Sequence, residues 1–103
     1  MKSLEDYIFG LRYALRNGGS LPASARMDIE GEGSIRIADG DVSASDAPAD
    51  CIMNTSHEIY DKLYHGTIDP TIAFAKGDLT INGDMAVALA MQGLFEKARA
   101  ADA

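Results

Sequence analysis

The segment from Asp69 to Phe95, DPTIAFAKGDLTINGDMAVALAMQGLF, constrains the fold of this chain more than any other stretch. It fits a helix, a strand and a second helix between closely spaced joints. Asp69-Pro70 is a helix start, because Asp offers an acceptor at the N-cap and proline tolerates the first helical position. Lys76-Gly77 is a stop, with a cation in the last turn followed by glycine. Leu79-Thr80-Ile81-Asn82 alternates apolar and polar residues, as a half-buried strand does. Gly83-Asp84 then turns the chain into a last helix, from Met85 to about Ala101.

That helix carries a wide apolar arc. Val87, Ala88, Met91, Leu94, Phe95 and Ala98 share one face at helical spacing, Met85 and Leu89 widen it sideways, and charge returns only at Glu96, Lys97 and Arg99. Such a face needs a cover. One cover is the back of a small sheet; the other is a sheet with an apolar ligand held between. Ala86, Ala88, Ala90 and Gly93 suit either, since small side chains allow close packing or leave space. Met53, Met85 and Met91 would form a wall that adapts to varied apolar shapes, because the thioether chain is flexible and polarisable.

The upstream half supplies the sheet. Ser3 can cap a helix through about Arg16, with Leu4, Ile8, Leu11 and Leu15 on one face and Tyr7 and Ala14 beside them. Asn17-Gly18-Gly19 ends it. Ala25 to Glu30 alternates, with Met27 and Ile29 inward. After the Gly31-Glu32-Gly33 turn, Ile35 and Ile37 take the inward positions. Asp39-Gly40 is a hairpin signal leading into a weak strand at Asp41 to Ser45. Cys51 to Asn54 makes a fourth strand. Thr55 with Glu58 reads as a capping box for a helix to about His65, with Ile59 and Leu63 inward and Gly66 as its stop. The order is that of an α+β, mixed-sheet domain filling residues 1–103.

With 103 residues there is room for one modest core, and an apolar content of 47% excludes disorder. The apolar run Met85 to Met91 falls far short of the roughly 20 residues that span a bilayer. Acids at Glu5 and Asp6 precede any apolar run, unlike a signal peptide. The single Cys51 fits a reducing compartment, which points to a cytoplasmic location. A net charge of −7 argues against nucleic acid as a partner and against stable docking on an anionic membrane.

Catalytic readings find little support. There is no G-x-S-x-G elbow, and no base accompanies Cys51 in a diagnostic motif. His57 and His65 do not have the i, i+4 spacing of a helical zinc pair, and Asp39, Asp41, Ser43 and Asp50 lack the glycine and flanking helices of a calcium loop. Gly18-Gly19-Ser20 and Gly31-Glu32-Gly33 lead into strands, unlike nucleotide-binding loops. No enzyme activity, metal or cofactor is expected.

The run Ile68-Asp69-Pro70, Ala73-Phe74, Gly77-Asp78-Leu79-Thr80-Ile81, Gly83-Asp84-Met85, Ala88-Leu89, Met91-Gln92 resembles the sterol carrier protein 2 (SCP2) family. Gly83-Asp84-Met85 is its most specific part. The resemblance extends upstream through Asp28 to Ser34 and Asp50 to Ser56, covering roughly residues 25 to 95. It implies a five-stranded sheet with about four helices on one side, enclosing an apolar tunnel, and a ligand such as a fatty acid, fatty acyl-CoA or sterol. The chain departs from the family pattern in its short passage from first helix to first strand and in its short, Ala/Ser/Asp-rich Asp41 to Asp50 region. The tripeptide Ala101-Asp102-Ala103 also lacks a peroxisomal address.

On this resemblance the residues expected to touch ligand are Met27, Ile29, Ile37, Phe74, Ile81, Met85, Leu89, Met91, Gln92 and Phe95. Gln92 is the residue expected to bond a head group at the tunnel mouth. The acidic balance disfavours the phosphates of CoA unless Arg12, Arg16 or Arg26 cluster. Two further roles stay open: an accessory protein presenting an intermediate such as a polyprenyl quinone precursor to an enzyme, and a filled-core domain serving dimerisation.

Overall fold

A computed structural model describes residues 1–102 of the chain, and Ala103 of the terminal tripeptide lies outside them. The described residues form α1 (Leu4–Arg16), β1 (Ala25–Ile29), β2 (Gly33–Ala38), β3 (Asp41–Ala44), β4 (Cys51–Thr55), α2 (His57–Tyr64), α3 (Pro70–Ala75), β5 (Leu79–Gly83) and α4 (Met85–Arg99), followed by a short 3₁₀ turn. The strands make one mixed sheet in the order β3-β2-β1-β4-β5, in which only β1 and β4 run parallel.

Each helix begins as its local chemistry dictates. At α1, Ser3 Oγ accepts from the Asp6 N–H while Asp6 Oδ2 accepts from the Ser3 N–H, both at 3.2 Å, a closed capping box. Asp69 and Asp84 cap α3 and α4 by accepting from the N–H groups of Thr71 (2.7 Å) and Ala86 (2.9 Å). At α2 the structure corrects the sequence reading. Ser56 is the cap, accepting from the Ile59 N–H at 3.2 Å, because Thr55 is still held in β4 opposite Leu79. The Thr55 hydroxyl donates instead to the Asp78 carbonyl at 2.9 Å.

Alternation sorts the sheet into two faces. Ala25, Met27, Ile29, Ile35, Ile37, Val42, Cys51, Met53, Thr55 and Leu79 face the helices and are buried. Arg26, Asp28, Ser34, Arg36, Asn54 and Thr80 take the outer face. There Arg26 clamps Asp28 through two bonds of 2.9 and 3.0 Å, and Ser34 adds a third at 2.7 Å.

The short Asp41 to Asp50 region now has a clear geometry. β3 is an edge strand whose last residue, Ala44, lies beside Ile35, in line with Met27 at the middle of β1, whereas β4 starts on the far side of β1, beside Ala25 at its beginning. Residues 45–50 must therefore run back across the sheet. They cross its outer face, where Arg26 Nη1 donates to the carbonyls of Asp46 (2.8 Å) and Ala47 (3.3 Å) and Arg36 Nε donates to that of Pro48 (2.9 Å). At its end the Asp50 carboxylate accepts from the Ser24 hydroxyl at 2.9 Å.

On the inner face α1 packs over β2 and β3, and α4 packs against α1, α2, β4 and β5. All six residues of the expected α4 face are buried: Val87, Ala88, Met91, Leu94, Phe95 and Ala98. The α1 face is turned from the one expected. Tyr7, Ile8, Gly10, Leu11 and Ala14 are buried, while Leu4 and Leu15 are only partly covered. Tyr64 of α2 packs on this face, its hydroxyl occupying the place a β-carbon on residue 10 would take. In α2 itself Tyr60, Leu63 and Tyr64 are buried and Ile59 is partly so.

Candidate functional site

Between the inner face of the sheet and the helical layer lies a void of about 10 Å³. Its walls come from four directions: Met27, Met53, Thr55 and Leu79 from the sheet, Tyr60 and Leu63 from α2, Pro70 from α3, and Ala88, Met91 and Phe95 from α4. That volume equals about one water-sized sphere. No lipid chain enters it unless the helices part from the sheet. Three of its walls are methionines, the side chains best able to repack around a guest.

The residues expected to touch ligand divide into three groups. Met27, Met91 and Phe95 line the void. Ile29 and Ile37 are buried elsewhere under the sheet, and Ile81 is partly buried on the edge strand β5. Phe74, Met85 and Leu89 are 43%, 43% and 51% exposed, and with Ile72 they form apolar surface on α3 and the first half of α4. Met85 and Leu89 lie on the flank of α4 beside its buried face, and the six-residue α3 is too short to cover them. Gln92, on the same flank, donates from Nε2 to Asp69 Oδ2 at 3.1 Å, tying α4 to the cap of α3.

Sequence reasoning passed over Tyr60, Leu63, Thr55 and Leu79 as parts of this site. Leu63 and Leu79 were legible as inward residues, but nothing local marked them as neighbours of the void. Nothing in the sequence singles out Tyr60. Its ring stacks edge-on against Tyr7 (4.8 Å between centroids) and Phe95 (5.6 Å).

Charge is kept away from the void. Burial pushes the Cys51 thiol up and the Tyr60 phenol well up, so both stay un-ionised near neutral pH. The polar network closest to the core sits at the far side of Tyr7, whose hydroxyl donates to Asp61 Oδ1 at 2.6 Å. His57 Nε2 lies 2.9 Å from the Lys2 carbonyl and 3.1 Å from the Tyr7 hydroxyl. The Lys2 carbonyl can only accept, which places a proton on Nε2. Arg12 and Arg26 do not cluster into a phosphate site. Arg12 bonds Asp41 and the Val42 carbonyl on the helical side, and Arg26 is engaged on the outer face.

A larger concavity, about 510 Å³, opens at the other end of the molecule. Gly19, Ser20, Ser24, Arg36, Asp39, Gly40 and Asp50 supply much of its wall, and of the expected ligand residues only Ile37 reaches it. Leu15, Leu21, Ala23 and Ala38 supply the rest, so its wall mixes polar and apolar groups.

A mixed sheet of this order, closed on one face by helices around an apolar interior, defines an SCP2-like α+β domain. The chain belongs to the SCP-2 sterol transfer family, whose sequence profile matches residues 10–96. Among solved structures, sterol carrier protein 2 of Aedes aegypti in complex with palmitate superposes with a TM-score of 0.75 at 13% identity, covering 93% of this chain and 98% of that one. A ubiquinone synthesis protein, UbiJ-SCP2, superposes with a TM-score of 0.58 at 20% identity, covering 92% and 88%. In sequence, hydroxysteroid dehydrogenase-like protein 2 of Danio rerio is 41% identical over 47 residues, which is 46% of this chain. The chain spans about a tenth of the length of the curated relatives it matches.

Proposed function

We propose that this chain is a non-catalytic binding domain that carries an apolar lipid between its sheet and its helical layer. The observation that carries the reading is the methionine-walled void beneath α4, together with the apolar surface of Ile72, Phe74, Met85 and Leu89 on the two helices flanking the way in. Exposed apolar side chains on adjacent elements mark entry routes or docking surfaces on a small domain. The lipid enters between α3 and α4, breaking the Gln92–Asp69 bond as the helices separate. Gln92 is then free to meet a ligand end left at the mouth.

Burying about 14 methylenes at ~0.8 kcal/mol each gives a gross gain of roughly 11 kcal/mol. Lost freedom opposes this by about 4–15 kcal/mol. Part of the gain also goes to parting the helices, so reversible carriage follows rather than permanent capture. The buried Cys51 thiol and Tyr60 phenol, both pushed up by burial, stay neutral beside an apolar guest.

Native mass spectrometry of the purified protein, with organic extraction of whatever co-purifies, tests the reading. A stoichiometric apolar adduct, or uptake of a fluorescent fatty acid or sterol at micromolar concentration, is the expected result. A bare mass with no uptake at tens of micromolar would favour a filled core. The same exposed surface also fits an accessory role, presenting a bound intermediate such as a polyprenyl quinone precursor to an enzyme. In that case Leu89→Ser would weaken capture by the enzyme more than it weakens lipid uptake.

A further inference from the structure

Tyr60 Oη is fully enclosed and has no hydrogen-bond partner among the described residues. It is the only side-chain polar atom of which that is true there, and its residue lines the void. A buried hydroxyl left unpaired is a standing free-energy penalty. Its neighbours Tyr7 and Tyr64 escape that penalty, Tyr7 on Asp61 and Tyr64 on the Ala98 carbonyl at 3.4 Å. Phenylalanine would fill the same volume in α2 without the penalty, so the hydroxyl calls for a partner that arrives from outside the chain. The wall of the void that Tyr60 lines contains no Lys, Arg or His, and the other hydroxyl there, Thr55 Oγ1, donates to Asp78 while keeping lone pairs free.

We infer that Tyr60 Oη anchors the polar end of the bound lipid inside the domain, and that this end is a neutral oxygen, a hydroxyl or a ketone carbonyl, rather than a carboxylate. The inference rests on the lipid-binding reading and adds to it the direction and class of the ligand. A carboxylate drawn under α4 would lose its hydration with no cation to meet it. A hydroxyl or ketone loses far less and gains the Tyr60 bond. Un-ionised by burial, the phenol stays a donor across the physiological range. A fatty acid bound to the same domain would therefore lie the other way round, with its carboxylate at the mouth near Gln92.

Displacement of 1,6-diphenylhexatriene, a probe without oxygen, by cyclodextrin-delivered hexadecane, 1-hexadecanol and palmitate at neutral pH tests this in the wild type and in Tyr60→Phe. Hexadecanol is expected to compete about five- to tenfold better than hexadecane in the wild type, the margin of one hydrogen bond. Tyr60→Phe should remove that margin, bringing hexadecanol level with hexadecane in the same variant, and melt no lower than the wild type. In the wild type alone, hexadecanol should produce a tyrosine near-UV difference band that hexadecane does not. The inference is overturned if the alcohol has no margin, if the margin survives in Tyr60→Phe, if palmitate weakens as much as the alcohol, or if the difference band is absent. Failure of the probe and every competitor to bind would instead overturn the lipid-binding reading beneath it.

Discussion

At Gly83 the backbone takes φ 108° and passes so close to the Asp50 carbonyl that a β-carbon would collide with that oxygen. The same carbonyl accepts the Asp84 N–H at 3.2 Å, so the Gly-Asp pair seats β5 and starts α4 in one step. Gly83→Ala should lower stability by roughly 2–3 kcal/mol, read as a fall in urea midpoint at unchanged slope. Asp61 shows a second residue-scale effect. Burial pushes its carboxyl up, but the Tyr7 hydroxyl, His65 and the Lys2 N–H outweigh this and leave it below the usual carboxylate range. A carboxyl whose folded value lies below its unfolded one, near 3.9, stabilises fully above that unfolded value. The contribution is lost as pH falls through the folded value. Tyr7→Phe should cost about 1–2 kcal/mol at pH 7 and lose part of the stability decline between neutral pH and about pH 2, measured by urea titrations across that range. Tyr60 lies at the opposite extreme of legibility from Gly83. The turn chemistry at 83–85 is written in adjacent residues, whereas the isolation of the Tyr60 hydroxyl depends on what α1, α4 and the sheet bring to it.

Among elements, the caps at Ser3, Asp69 and Asp84 were legible because a helix start is a contract among four neighbouring residues. Asp84→Ala should remove about 1 kcal/mol of stability by freeing the first turn of α4, read as a lower thermal midpoint. The α2 start was not legible. Thr55 and Ser56 both suit a cap, and the choice fell to β4, whose pairing with β5 keeps Thr55 extended. The width of the α4 face was misjudged for a related reason. Periodicity finds apolar residues but not the length of the element that must cover them, and α3 stops before it shields Met85, Leu89 or its own Phe74. The five-stranded mixed sheet was implied by the family likeness, but its order was not. The route of residues 45–50 over the outer face could not be inferred either, because it rests on two arginines whose partners are main-chain carbonyls.

For the whole molecule, binding and stability are linked. A ligand held at a hundred times its dissociation constant adds about 2.7 kcal/mol, which for a domain of this size raises the melting temperature by roughly 10 °C or more. Melting the protein with rising concentrations of a bound lipid checks this, and a midpoint that stays fixed would mean that nothing binds the folded form. The arrangement of the covering layer has a further consequence. α4 follows in the chain every strand that it shields, and α1 alone can cover only the β2–β3 side. During synthesis, then, the apolar side of β4 and β5 has only the short α2 and α3 to cover it until residues 85–99 have left the ribosome. A chaperone, or a lipid already present, would find its widest opening in that interval.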